Sequence, residues 1–345
     1  MRSTLCLLMV CLLSACSTLN YVEIETYNPA EITFPENVGK ILIVNNAIAQ
    51  PKESGYTYTL YGNKQDTCQA VADSALFDAC VSLGKSIVDA GYFNDVLLFN
   101  GSTRSDNHYY SDNKLTPAQV AALCEANGVD AIISFDRLLF EMTKDISLFG
   151  GGYERGQINV HIGGVLRSYL PERDIPLATV LVNDSIFWDE SADYKELLDL
   201  ILPTPEEALR TAGRYIGAKA LPNFVPYWAS ESRWYFTSAG SLWKEASAYA
   251  ASGKWELAAE RWKALYEKGN WKAKAKAASN LALCEEMNGH LQKAHEWAFK
   301  SYELFKSKSG EDNHYTKLLK LYADALSQRI LKDKKLNVQF GEKSF

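Results

Sequence analysis

The sequence predicts an α+β fold: a mixed sheet with helices on one face, followed by an all-α helical array. Three observations lead there. Between residues 40 and 188, apolar runs of strand length alternate with runs of helical spacing, in the order strand, helix, strand, helix, then three strands. From Leu242 onward the pattern is helical throughout and repeats every 36 residues. The charge also changes sign near residue 240. Residues 1–239 carry 17 Lys and Arg against 29 Asp and Glu, whereas residues 240–345 carry 19 against 13, which supports a boundary there.

At 345 residues, two domains are the natural expectation, and 47% hydrophobic with 23% charged residues describes a folded chain. A net charge of -6 lacks the basic footprint of a general nucleic-acid binder, so no nucleic-acid partner is expected.

The chain opens with Met1-Arg2, an apolar run from Leu5 to Leu13, and then Leu13-Ser14-Ala15-Cys16. A cation, a short apolar core and small residues before a cut site describe a secretory signal over residues 1–15, too short to span a bilayer. Leu-Ser-Ala-Cys resembles the bacterial lipobox. That resemblance implies diacylglyceryl transfer to the Cys16 thiol, cleavage before it and acylation of the new amino group. Several acyl chains, each methylene contributing on the order of 0.8 kcal/mol when buried, make a durable bilayer anchor. Residues 16–37 are polar, with Pro29 and Pro35, and read as a lipidated tether. The following Ser17-Thr18-Leu19-Asn20 is not the acidic stretch associated with surface export in Bacteroidota. The expected place is therefore the outer membrane, facing the periplasm.

The α/β domain is expected over residues 38–200. Lys40 to Val44 reads as a buried strand and residues 50–67 as a loop. Ala72, Leu76, Cys80, Leu83 and Ile87 recur at helical spacing up to Gly91. Val96 to Phe99 is a short strand, and residues 100–114 form a polar loop. Thr116, Pro117 and Gln119 make a capping box with proline at the first helical position, and Asn127-Gly128 is the stop. Three strands follow: Val129 to Leu139, Gln157 to Tyr169 and Leu177 to Trp188. This order, with Phe34-Pro35 ahead of the first strand, resembles the α/β domain of the curli-secretion lipoprotein and the TolB amino-terminal domain over roughly residues 35–190. Those relatives assemble into envelope machines, so the resemblance implies an envelope binding or assembly module.

Residues 201–239 read as a linking helix and an aromatic seam. Thr204, Pro205 and Glu207 make a second capping box, Pro222 ends the helix, and Phe224, Tyr227, Trp228, Trp234, Tyr235 and Phe236 follow. Residues 240–335 are the array. Ala246 pairs with Ala282, Gly253 with Gly289, Trp255 with Leu291, Ala258 with Ala294 and Trp262 with Ala298. This spacing resembles the tetratricopeptide repeat, although its period exceeds that family's usual one and the terminal proline after Glu267-Lys268-Gly269 is missing. The resemblance implies a concave groove that binds an envelope protein or peptide, with Trp243, Ser247 and Ser279 facing it. A helix around His314 to Leu331 would cap the stack.

Chemistry is sparse. Cys68, Cys80, Cys124 and Cys284 match no zinc spacing and read as free thiols. The string Ala79 to Ser86 matches a permissive phosphate loop but sits inside a helical pattern. Gly150-Gly151-Gly152 beside Arg155 reads as a hairpin turn, and Asp106, His108 and Asp112 as polar turn residues. No metal, cofactor or catalytic residue is assigned. Lipobox, α/β domain and repeat tail together resemble a lipoprotein family common in Bacteroidota. The expected function is that of a non-catalytic binding or assembly adaptor in the bacterial envelope, acting through the array. The alternative is an envelope hydrolase with a site in the 100–114 and 144–156 loops.

Overall fold

The computed structural model describes residues 19–65 and 68–341. The signal segment and Cys16 lie outside the described residues. The chain divides into an α/β unit built on Pro29–Tyr227 and a helical unit built on Trp228–Val338 together with the strand that ends at Asn28.

In the α/β unit, β2 (Lys40–Asn45) runs parallel to both β5 (Asp95–Leu98) and the first part of β6 (Ala131–Phe149). Its run of Ile41, Leu42, Ile43 and Val44 is buried on both faces, which is why this strand is continuously apolar. Helix α1 (Asp73–Ala90) and helix α4 (Pro205–Lys219) pack on the face carrying Ile41, Ile43 and Ile133. Helix α2 (Pro117–Asn127) covers Leu42, Val44 and Ile132 on the other face. Mixed sheet and helical run agree with the expected fold class, and α2 extends it by covering part of the second face. Both capping boxes form as expected, at Thr116 with Gln119 and at Thr204 with Glu207.

The sheet reaches further than the sequence suggested. Strands β6, β7 (Tyr153–Tyr169) and β8 (Ala178–Ala192) form one antiparallel meander. Residues 144–156 are therefore not a loop: strand continues to Phe149 and resumes at Tyr153, leaving a turn at Gly150–Gly152. Likewise the loop expected over residues 50–67 contains β3 (Tyr56–Leu60) and β4 (Asn63–Gln65). Strand β3 pairs in parallel with β6 from Met142 to Ile146, along the edge that β2 occupies further back. A bulge between Phe135 and Arg137 links the two stretches. Before it Ile133 and Phe135 point into the core; after it Leu138, Phe140 and Met142 do, so the extra residue reverses the alternation. Helix α3 (Lys195–Ile201) follows β8.

Helix α4 is not a linker but a core element. It lies so close to α1 that a Cβ on Gly213 would stand 2.2 Å from the Ala75 carbonyl oxygen, and one on Gly217 at 2.2 Å from that of Ala79. Two glycines one turn apart facing two alanines one turn apart let the backbones touch. The aromatic segment after it divides as well. Phe224 and Val225 are buried in the α/β core, while Tyr227–Phe236 is a strand, β9.

In the helical unit the expected tether is structured from Leu19. Strand β1 (Leu19–Asn28) pairs with β9. Asn20 contacts Tyr235 at one end and Tyr27 packs on Trp228 at the other, so the strands run antiparallel. Helices α5 (Ser241–Ala251) and α6 (Trp255–Lys268) form one hairpin, α7 (Trp271–Met287) and α8 (Leu291–Ser309) a second, and α9 (His314–Gln339) follows. Ala246, Ala258, Ala282 and Ala294 are fully buried, and the hairpins turn through Gly253 and Gly289 at positive φ. Only small side chains permit that approach, and glycine suits the left-handed turn.

Candidate functional site

The residues proposed for a groove do not line one. Trp243 is 6% exposed, in the core with Tyr235 and Trp262, and Ser279 is fully buried. Ser247 is half-buried, and the hydroxyls of Ser247 and Ser279 have no hydrogen-bond partner among the described residues. Strand β9, which precedes the array, packs into this core beside Trp243. The Phe236 N–H donates to Asn280 Oδ1 at 2.7 Å, and Asn280 Nδ2 donates back to the Phe236 carbonyl at 2.8 Å. Tyr235 packs on Trp262, Phe236 on Tyr315 and Trp234 on Tyr322. Behind them, the buried carboxylate of Glu286 receives Arg233 at 3.0 Å, Arg329 at 2.6 Å and the Tyr322 hydroxyl at 2.9 Å. Burial and this carboxylate raise the Tyr322 hydroxyl well above the ordinary phenol range. The surface of α7 and α9 that an outside peptide would need is filled by the chain's own strand.

The open site is in the α/β unit. A cleft of about 360 Å³ lies on the outer face of the meander, under the loop that follows β5. Its floor includes Leu139, Gly163 and Asn183, which are cross-strand neighbours on β6, β7 and β8. Nothing would meet a Cβ placed on Gly163, so its lack of a side chain keeps the floor open. Tyr109 and Tyr110 form the wall with rings 4.2 Å apart, and Tyr110 is 67% exposed. Arg137 donates to the Tyr110 carbonyl at 3.2 Å, and its buried Nε has no hydrogen-bond partner among the described residues. Glu141 and His161 stand opposite each other on β6 and β7, with Ser185 next on β8. This row has the composition of a nucleophilic triad, yet no hydrogen bond joins the three among the described residues, and all three are exposed.

A buried polar network holds the loop in place. Asp136, at the bulge, is fully buried and accepts from Asn46 Nδ2 at 3.0 Å, Ser134 at 2.7 Å, Arg167 Nη1 at 2.7 Å and the Tyr169 hydroxyl at 2.6 Å. Arg167 reaches on to Asp112 at 2.6 Å. Arg104 grips Asp106 through two nitrogens, at 2.9 and 2.6 Å, and donates to the carbonyls of His108 and Ser111. The Arg104 guanidinium holds Asp106 down at about 2, and Arg167 lowers Asp112 below the usual carboxylate range. Asp106 and Asp112 thus anchor the wall and are not free to bind a cation. Among the described residues no group of His, Cys, Asp and Glu could hold a metal ion. The sequence flagged this loop through its acids and missed Tyr109, Tyr110 and Arg137, because the sheet face that turns them into a cleft is assembled from residues far along the chain.

The four body cysteines are free, with Cys80, Cys124 and Cys284 buried. The Ala79 to Ser86 string lies within α1, so its amides bond along the helix and wrap nothing. Arg155, beside the glycine turn, pairs with Asp189.

Fold and site together define a two-unit α+β protein with an open sheet-face cleft and a self-filled helical array. The chain belongs to the family described as Domain of unknown function (DUF8603), whose profile matches residues 38–236. A second family, Domain of unknown function (DUF6340), matches residues 244–328, the helical hairpins. No curated protein matches the chain.

Proposed function

We propose that this chain is a lipoprotein of the bacterial envelope, anchored through acyl groups on Cys16, that binds a partner protein or peptide without catalysis. The observation that carries the reading is the cleft under Tyr109 and Tyr110. It presents exposed aromatic surface and convergent polar groups, while Asp106 and Asp112 of the loop above it are held by Arg104 and Arg167. Tyrosine supplies large contact area at little conformational cost. The repeat array, which resembles tetratricopeptide hairpins, then serves as the brace that stores β9, and partner binding passes to the α/β unit. The signal-like amino terminus and Leu-Ser-Ala-Cys string support outer-membrane anchoring, facing the periplasm.

Two measurements test this reading. Replacing Cys16 with Ser should move the protein from the membrane to the soluble fraction of exported material. Affinity capture from native envelopes should recover the same partner with the native chain and with Phe299→Ala on α8, and lose it with Tyr109→Ala/Tyr110→Ala. Retention of the partner by the double variant would overturn the assignment to the cleft.

A further inference from the structure

The sheet of the α/β unit has three free edges, and they are treated differently. Strands β4 and β5 end the sheet with three and four residues each, too short to template another strand. Strand β8 is the third edge and has 15 residues, pairing only with β7. Its register with β7 runs without a bulge from Ala178 to Ala192. It contains no Lys, Arg or Pro. Among the described residues no backbone hydrogen bond leaves its outer edge. Proteins usually blunt such an edge with cations, proline, a bulge, brevity or an inward-pointing charge; β8 has only the last, Asp184, and Lys219 of its own chain offsets that charge.

The side-chain pattern names what fits. Around Asp184 the strand reads Val180-Leu181-Val182-Asn183, then Ser185-Ile186-Phe187-Trp188. It is palindromic in character: three apolar residues and one amide or hydroxyl on each side of a central acid. We infer that β8 is the interface at which two copies of this chain join, edge to edge and antiparallel, about a two-fold axis at Asp184. A two-fold interface requires that residue i meet j while j meets i, and this pattern satisfies it. In that register Leu181 of each copy lies opposite Phe187 of the other on the outer face. Val180 meets Trp188 and Val182 meets Ile186 on the inner face, and Asn183 meets Ser185. Leu181 and Phe187 are 76% and 71% exposed, the surface this pairing covers. The two Asp184 carboxylates are not a bare like-charge pair. Each accepts from Lys219 and from the Tyr215 hydroxyl of its own chain. This inference does not depend on the cleft: the pairing would place two such sheet faces side by side.

Sedimentation equilibrium of the acylated full chain in detergent micelles tests it. The native chain should sediment as a dimer. Leu181→Lys combined with Phe187→Lys should raise the dissociation constant by at least roughly tenfold, since several cross-strand pairs are lost and cations face each other. At concentrations low enough for both to be monomeric, the thermal melts of the double variant and the native chain should match, because both side chains face solvent in one copy. Register supplies a second readout that does not depend on that variant folding. Directly opposed residues come within disulfide reach, while diagonal ones stand too far apart. Asn183→Cys mixed with Ser185→Cys should therefore give an inter-chain disulfide that neither variant forms alone. A monomeric native chain, or cross-linking as strong in the separate variants as in the mixture, would overturn the inference.

Discussion

Asn280 clamps Phe236 by both backbone groups, accepting from its N–H at 2.7 Å and donating to its carbonyl at 2.8 Å. A side-chain amide carries an acceptor and a donor side by side, so it answers an N–H and a C=O of one residue at once. The geometry is that of a helix recognising an extended strand, and the strand belongs to the same chain. Asn280→Ala leaves both buried backbone groups unpaired and should cost about 3 kcal/mol. Urea unfolding followed by tryptophan fluorescence would show it, since Trp234, Trp243 and Trp262 lie in this unit. A loss below about 1 kcal/mol would mean that β9 is held by its side chains and its pairing with β1, without the clamp.

The contact between α1 and α4 predicts a sharp contrast between two glycines. Gly217→Ala places a methyl group 2.2 Å from the Ala79 carbonyl oxygen, so the helices must separate, at a cost of at least about 2 kcal/mol. Gly84, on α1, would meet its nearest neighbour at 3.7 Å, an ordinary contact. Gly84→Ala should therefore be neutral or stabilising by up to about 1 kcal/mol, from helix propensity. The melting temperature should fall for Gly217→Ala and hold level or rise for Gly84→Ala.

The loop that walls the cleft should be acid-sensitive. Asp106 titrates at about 2 in the folded protein because Arg104 pairs with it, and near 3.9 when unfolded. A folded value below the unfolded one means that the stabilisation is complete above about pH 4 and is lost as pH falls toward 2. The gap in melting temperature between the native chain and Asp106→Asn should be constant above about pH 4 and close below it. Asp112 and Asp184 are also lowered, by Arg167 and Lys219, but both variants retain them, so the difference isolates Asp106.

Thiol reactivity should sort by burial. Burial pushes Cys80 and Cys284 up to about 12 and Cys124 to about 11, whereas Cys68 is half-buried and less perturbed. At neutral pH the thiolate is the reactive form. Alkylation of the folded protein followed by peptide mass spectrometry should label Cys68 first among these four, and the other three only after denaturation.

Local signals were legible in the sequence, and non-local ones were not. The two capping boxes, the apolar run of β2 and the alanine–glycine pattern of the hairpins each act within one or two turns of chain, so reading them needs no partner. Strand β1 is different. Its Tyr21, Glu23 and Glu25 face solvent while Ile24 and Thr26 are buried, and the pairing that makes it a strand lies about 200 residues away, where Thr26 meets Ala229 and Glu231. Strand β3 owes its existence in the same way to the far half of β6. The bulge at Asp136 hides the continuation of β6, because it reverses the alternation by which a strand is recognised. The burial of Trp243 was not legible for one reason: Tyr235 and Phe236, in the same core, stand on a strand that precedes the array and carries no repeat signature.

On the proposed reading, a partner meets this protein at the cleft of its α/β unit and not on its helical array. Photo-cross-linking in intact envelopes tests it most directly, with a photoreactive phenylalanine analogue in place of Tyr110 in one strain and of Phe299 in another. Both side chains are exposed, so either position can report a neighbour. A partner adduct from position 110 with none from position 299 is the expected result. An adduct from position 299 alone would contradict the account and return recognition to the array.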